Sequence, residues 1–308
     1  MNMKEKNFVS AVVYVRNAES VIDKCIETLY DVLGQNFKKF EIICVNDAST
    51  DKSKEVIKKY ARNNRDSMLS IVNMSYFQGL EASMCAGVDL AIGDFVFEFD
   101  SPIIDFKPEL IMEIYNHALK GYDIVSCGSG NSRTKSKLFY KIYNHFSGTQ
   151  YKLRSETFRV ISRRAINRVQ SMSINMPYRK ALYANCGLAH DYVRYESIGG
   201  AKTAQNLKSP HDTALSSLML FTNIVFKLTL TITALMMLLM IGTAIYALVI
   251  FLTGNPVEGF TTIILLISGA FFAVFAILAA VIRYLSLILG LVFFKQKYLI
   301  QSIEKITS

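Results

Sequence analysis

The stretch Phe95-Val96-Phe97-Glu98-Phe99-Asp100-Ser101-Pro102-Ile103-Ile104-Asp105-Phe106-Lys107-Pro108 decides how the chain is read. It begins apolar and aromatic, the composition of a strand covered on both faces. Asp100 follows at the strand's carboxyl end, where Ser101-Pro102 stops the ladder because proline has no N–H to donate. Open α/β sheets bind ligands in the crevice outside those ends. An aspartate placed there carries the hard oxygen donors that Mg2+ or Mn2+ takes. A second carboxylate, Asp105, precedes Pro108-Glu109, which opens a helix. The plainer alternative is an aspartate that only ends a strand and starts a turn.

Upstream, Phe8–Val15 is a continuous β-branched and aromatic run, as in a buried parallel strand. Val21, Ile22, Cys25, Ile26, Leu29 and Val32 recur at helical spacing and predict a helix over Ser20–Leu33. Phe40–Val45 reads as a second strand, and Lys52–Arg62 as a helix capped by Thr50 or Asp51. A third strand is expected at Ser70–Val72. Gln78-Gly79 then leads into a helix of small residues over Glu81–Ala91. This β-α-β-α alternation predicts an α/β fold with a parallel, doubly wound sheet.

Four loops carry more specific information: Val12–Glu19 (VVYVRNAE), Val45–Asp51 (VNDASTD), Gly79–Gly87 (GLEASMCAG) and Gly93–Asp100 (GDFVFEFD). In order and spacing they resemble the family 2 glycosyltransferases, which have the Rossmann-like GT-A fold and use nucleotide-sugar donors. The resemblance implies that Asp47, flanked by Asn46 and Ser49, meets the base and ribose of a UDP- or GDP-sugar. It implies that Val15, Asn17 and Glu19 cradle the nucleotide; Asp100 and Asp105, from the stretch quoted first, are the candidate catalytic metal ligands. The segments Ser136–Ser147 and Glu156–Ala165 are similar to the branch acting on polyprenyl phosphates, which includes bactoprenol glucosyltransferases and dolichyl-phosphate mannose synthase. That similarity implies phosphate-binding roles for Arg159 at the reaction centre and for Arg163, Arg133, Lys135 and Lys137. A guanidinium fork suits such a role because it binds phosphate oxygens in pairs. Arg164 and Arg168 read instead as a solvated helix face.

Several positions depart from the family pattern. Where the family has Asp-x-Asp, this chain has Asp100-Ser101-Pro102, and proline offers no side-chain ligand. Asp105 substitutes for the missing acid, or a cation is held by Asp100, waters and the diphosphate alone. Thr157 stands where aspartate is usual, and Ala48 where glycine is usual. A catalytically impaired membrane partner with a degenerate motif is therefore the second reading. A processive polysaccharide synthase is disfavoured, because its Gln-x-x-Arg-Trp motif needs a tryptophan and the chain has none.

The 308 residues carry a net charge of +9, which suits anionic lipid or phosphorylated substrates. Without a basic run or an aromatic-interleaved basic stripe, nucleic acid is not expected. Five widely spaced cysteines form no C-x-x-C and read as buried apolar residues in a reducing compartment. No secretory signal precedes the first strand. Mean hydropathy is +0.27, and the apolar content concentrates late in the chain.

Leu228–Leu252 and Phe260–Ile282 are uncharged runs of 25 and 23 residues, each long enough to cross a bilayer. The expected organisation is a cytoplasmic GT-A domain over 1–210, an interfacial lead-in over 211–227 and transmembrane helices over 228–252 and 260–283. An external connector spans 253–259, and a cytoplasmic amphipathic tail spans 284–308. Basic residues lie outside the pair and none lies in the connector, so both termini should face the cytoplasm of an inner membrane. The expected partners are a nucleotide-sugar, polyprenyl phosphate and the lipid bilayer, with homo-oligomerisation left open. Cysteine labelling should reach Asn255→Cys from outside the cell and Ser308→Cys only from inside; labelling of both from one side would overturn the hairpin.

Overall fold

The structure is a computed structural model. It describes residues 4–63, 68–129, 151–172, 178–198 and 298–306, with isolated positions in 140–144 and between 231 and 288. In chain order the elements are β1 (Glu5–Val15), α1 (Ile22–Asn36), β2 (Phe37–Asn46), α2 (Ser53–Asn63), β3 (Leu69–Met74), α3 (Leu80–Leu90), β4 (Phe95–Phe99) and α4 (Glu109–Ala118). Then come β5 (Ile124–Gly128), β6 (Phe158–Ser162), α5 (Arg163–Ser171), α6 (Arg179–Asn185), β7 (His190–Arg194) and β8 (Ile300–Ile306).

The strands form one sheet in the order β7-β5-β6-β4-β1-β2-β3-β8. β4, β1, β2 and β3 run parallel, as the alternation predicts. Successive side chains of β1 feed two different cores. Val9, Ala11, Val13 and Val15 pack with α1, α2 and α4, while Val12 and Tyr14 pack with α3, α5 and Tyr183 of α6. Helices therefore cover both faces, which is why these strands read as unbroken apolar runs. The chain leaves β1 for β2 on one side and later returns to β4 on the other. In open α/β sheets such a reversal is where a ligand crevice forms, here outside the carboxyl ends of β1 and β4. Asp100 lies one residue beyond β4, at its rim.

Two strands run against the rest. β6 lies antiparallel between β4 and β5, and β8 lies antiparallel on the outer edge of β3. The second finding gives a place to Ile300–Ile306, part of the stretch expected to be an amphipathic tail, as an edge strand of the sheet. Its burial alternates residue by residue, so the amphipathicity has the period of a strand. The two long apolar runs lie for the most part outside the described residues. Among the described residues no helix is long and apolar enough to cross a membrane.

Gly87 shows how tightly α3 seats on the sheet. A β-carbon there would lie 2.4 Å from Val12 Cγ1 and 2.6 Å from Val45 Cγ2, both in the strand layer beneath. Gly87→Ala should therefore lower unfolding stability by about 1–3 kcal/mol, the usual penalty of an overpacked core. An unchanged melting temperature would mean that α3 lifts away without penalty.

Candidate active site

The loops after β1 and β2 are wired to each other. Asn17, with a left-handed φ of 47°, accepts from the Thr50 N–H at 2.8 Å, and its own N–H donates to Ser49 Oγ at 3.1 Å. The Glu19 carboxylate accepts from the Lys52 N–H at 2.9 Å and so caps α2 from the neighbouring loop. Asp51 supplies the second cap through the Ser53 N–H at 3.0 Å. The Val15 carbonyl takes the Asp47 N–H at 2.9 Å. Asn46 Oδ1 accepts from the Ser49 N–H at 3.2 Å, which curls the turn around Ala48 at a φ of 49°. Glycine suits that backbone better than alanine does.

Asp47 is fully buried, and its carboxylate is already engaged. It accepts from the Gln78 and Gly79 N–H groups at 2.8 and 2.9 Å and from Tyr14 Oη at 2.9 Å. It therefore anchors the start of α3 instead of offering a free carboxylate to a base or ribose. Arg16 lies beside it, donating to the Asp47 carbonyl at 2.7 Å with its guanidinium 3.8 Å from the centre of the half-exposed Phe77 ring.

Beneath the crevice lies a buried ionic cluster. Glu98, at 0% exposure in the middle of β4, stands directly opposite Arg159 of β6. Its Oε2 accepts from Arg159 Nη1 and Arg179 Nη1, both at 2.6 Å, and its Oε1 accepts from the Tyr183 hydroxyl. The same arginines reach Asp100: Arg159 Nη2 to Oδ2 at 2.9 Å and Arg179 Nη2 to Oδ1 at 2.9 Å. Glu156 and Glu81 take the remaining Nε groups, each at 3.1 Å. Lys180 approaches Asp100 Oδ2 at 3.8 Å. Burial alone would raise the Asp100 carboxyl, but Arg159, Arg179 and Lys180 hold it well below the usual carboxylate range.

These contacts correct several sequence assignments. Arg159 is 1% exposed with all three guanidinium nitrogens committed, so it positions Asp100 and does not face an acceptor phosphate. Arg163 lies at the opposite, amino end of β4, donating to the carbonyls of Gly93 and Ala91 at 2.6–3.0 Å. It cannot share a site with Asp100. Asp105 accepts from Tyr195 Oη at 2.7 Å and Ser197 Oγ at 2.9 Å, which pins the segment after β7. Arg133, Lys135 and Lys137 lie outside the described residues. Arg164 is exposed, as expected, and pairs with Asp123.

Glu98, Arg179 and Lys180 had not been assigned from sequence. The signal for Glu98 was a charge amid the apolar strand Phe95–Phe99, which implies a buried partner. A divalent cation fits this arrangement poorly. Proline replaces the second acid, Asp105 is engaged elsewhere, and each Asp100 oxygen already accepts a guanidinium hydrogen, so an incoming cation would face two arginine charges.

The cluster makes stability depend on pH in a defined direction. Asp100 titrates lower folded than its unfolded value near 3.9, so its contribution is complete above that pH and fades below it. Asp100→Asn should destabilise the protein by about 1.5–3 kcal/mol at pH 7, because each buried guanidinium loses one of its three carboxylate partners. In urea unfolding the gap to wild type should narrow below about pH 4, by up to about 1.4 kcal/mol per pH unit. A gap constant from pH 7 to pH 3 would show that folding leaves the Asp100 carboxyl unshifted.

Comparison with known proteins agrees with this architecture. Residues 10–185 match the family described as glycosyl transferase family 2. An uncharacterized glycosyltransferase of Synechocystis, sll0501, is 31% identical over 196 residues, covering 61% of this chain and 60% of that protein. A prophage bactoprenol glucosyl transferase homolog of Escherichia coli is 26% identical over 202 residues, covering 62% of this chain and 65% of that protein. The matches thus span less than two thirds of these relatives' length. Among solved structures, glucosyl-3-phosphoglycerate synthase from Mycobacterium tuberculosis, in complex with Mn2+, UDP and phosphoglyceric acid, superposes with a TM-score of 0.51 at 14% identity over 70% or so of the chain's length (69% here, 78% there). That likeness establishes the GT-A fold. The chain belongs to glycosyl transferase family 2.

Proposed function

We infer that the chain transfers a sugar from a nucleotide-sugar to a polyprenyl phosphate at the cytoplasmic face of a membrane. The observation that carries the reading is the joining of the β1 and β2 loops at the same end of the sheet that carries Asp100, in a family 2 domain similar to a bactoprenol glucosyl transferase homolog. A membrane position has separate support. Helical positions in the apolar runs expose Leu235, Leu238, Ile263, Phe271, Val274 and Val281, side chains that suit lipid better than water.

The acceptor chemistry asks little of the protein. A lipid phosphate is already an anion at neutral pH, so no base has to deprotonate it, unlike a sugar hydroxyl. Its oxygen attacks the anomeric carbon, the bond from that carbon to the β-phosphate oxygen breaks, and the nucleoside diphosphate leaves with the electron pair. What the chain must supply is alignment and positive charge near the departing diphosphate. Its wired loops hold the donor subsite still, and the Glu98–Arg159–Arg179 lattice holds the floor of the crevice.

The second reading, a catalytically impaired membrane partner, is favoured by Pro102 and by the arginine bound to each Asp100 oxygen. Incubating detergent-purified full-length protein with undecaprenyl phosphate and a panel of UDP- and GDP-sugars separates the two. Transfer should add the mass of one sugar to the lipid with at least one donor. Nucleotide binding without product from any donor would favour the impaired partner, and product formed only on a soluble acceptor would exclude the lipid.

A further inference from the structure

We propose that Lys180, standing on the Arg159–Arg179 lattice, supplies the positive charge for the donor's diphosphate, so that this chain binds nucleotide without a divalent metal. The proposal rests on the nucleotide-sugar reading above and specifies how that site works.

Three observations carry it. Pro102 removes the second carboxylate of the Asp-x-Asp pattern. The remaining one, Asp100, has a guanidinium on each oxygen, in the place where a metal ion would bind. A cation sharing these oxygens would sit against two guanidinium charges, and drawing either one away from Asp100 would also disturb its pairing with the fully buried Glu98. The cluster resists that rearrangement because its four carboxylates, Glu81, Glu98, Asp100 and Glu156, hold each arginine by one bond to each of its three nitrogens.

Lys180 differs from the arginines in each respect that matters. Its Nζ lies 3.8 Å from Asp100 Oδ2, an ion-pair separation too long for a hydrogen bond, while the arginines sit at 2.6–3.1 Å. Its side chain is 10% exposed against 1% and 2% for Arg159 and Arg179. Lysine is also a compact charge on a flexible stem, able to turn toward a ligand without breaking a fork. Burial works against its charge, yet Tyr140, Glu156 and Asp100 more than restore it, so the ammonium persists at neutral pH. In the displacement, no proton has to move: the lipid phosphate gives up one negative charge to the diphosphate that departs, and Lys180 stabilises that charge where it collects.

The test is calorimetric titration of the detergent-purified full chain with UDP and, separately, GDP, in EDTA and in MnCl2. At least one nucleotide should bind with affinities that agree within about threefold between the two buffers. Lys180→Met should weaken that binding about 10- to 100-fold, the range of one charge-assisted hydrogen bond to phosphate. Lys180→Arg, which keeps the charge, should recover most of it, and equal melting temperatures establish that both variants fold. Binding abolished by EDTA, or undiminished in Lys180→Met, would overturn the proposal while leaving the nucleotide-sugar reading intact. If neither nucleotide binds in either buffer, the nucleotide-sugar reading itself is overturned, and this proposal with it.

Discussion

The burial of Glu98 is the constraint on which the site depends. A carboxylate in the interior of a sheet is tolerated only when it is paired and hydrogen-bonded. Three partners meet that demand here, from β6 and α6: Arg159, Arg179 and Tyr183. Burial and the adjacent glutamate push the Tyr183 hydroxyl far above its ordinary range, so it remains a proton donor. The pairing also fixes register. A one-residue slip of β6 would turn Arg159 to the other face and leave Glu98 without its cross-strand partner. Because the same two guanidinium groups continue to Asp100, strand register, helix placement and the carboxylate at the crevice form one unit.

The parts of the fold that could be read in the sequence are those whose burial gives a simple pattern. β1 through β4 and their helices declare themselves because strands covered on both faces are apolar throughout and the intervening helices are not. β6 was harder. Arg159 sits between Phe158 and Val160, and that apolar flanking marks an inward position, whereas Arg163 begins a helix beyond Ser162. Family likeness drew both arginines to the phosphates, but strand direction sends them to opposite ends of the sheet. Arg179 gave no periodic signal, since α6 has only seven residues.

The donor loops show a related limit. Asp47, Glu19, Asn17 and Ser49 sit where a nucleotide-binding role was expected, yet their side chains chiefly bind the backbone of neighbouring loops. Sequence motifs mark positions that matter without distinguishing contact from scaffold. An amide relay extends that scaffold. Asn46 donates to Asn73 at 3.0 Å, and Asn73 donates to Ser302 and Glu304 at 3.0 Å each, joining the β2 loop to β8 at the far end of the chain.

That link bears on how the apolar runs relate to the domain. β8 closes the edge of β3, and Glu304 takes Lys54 and Lys58 of α2 at 2.7 and 2.6 Å. These two ion pairs are partly exposed and contribute little by themselves, but the strand ladder does not depend on them. Before the apolar runs, the Ile198 N–H donates to the Asp105 carbonyl at 2.8 Å. After them, the Leu299 carbonyl takes the Ser75 N–H at 3.1 Å, and its N–H donates to Gln78 Oε1 at 2.8 Å. The segment between therefore leaves and re-enters one sheet. A chain held at both ends by the same rigid body returns to the side it left, so it crosses a bilayer an even number of times or not at all. The charge distribution leads to the same parity from an unrelated principle, the retention of Lys and Arg on the cytoplasmic side.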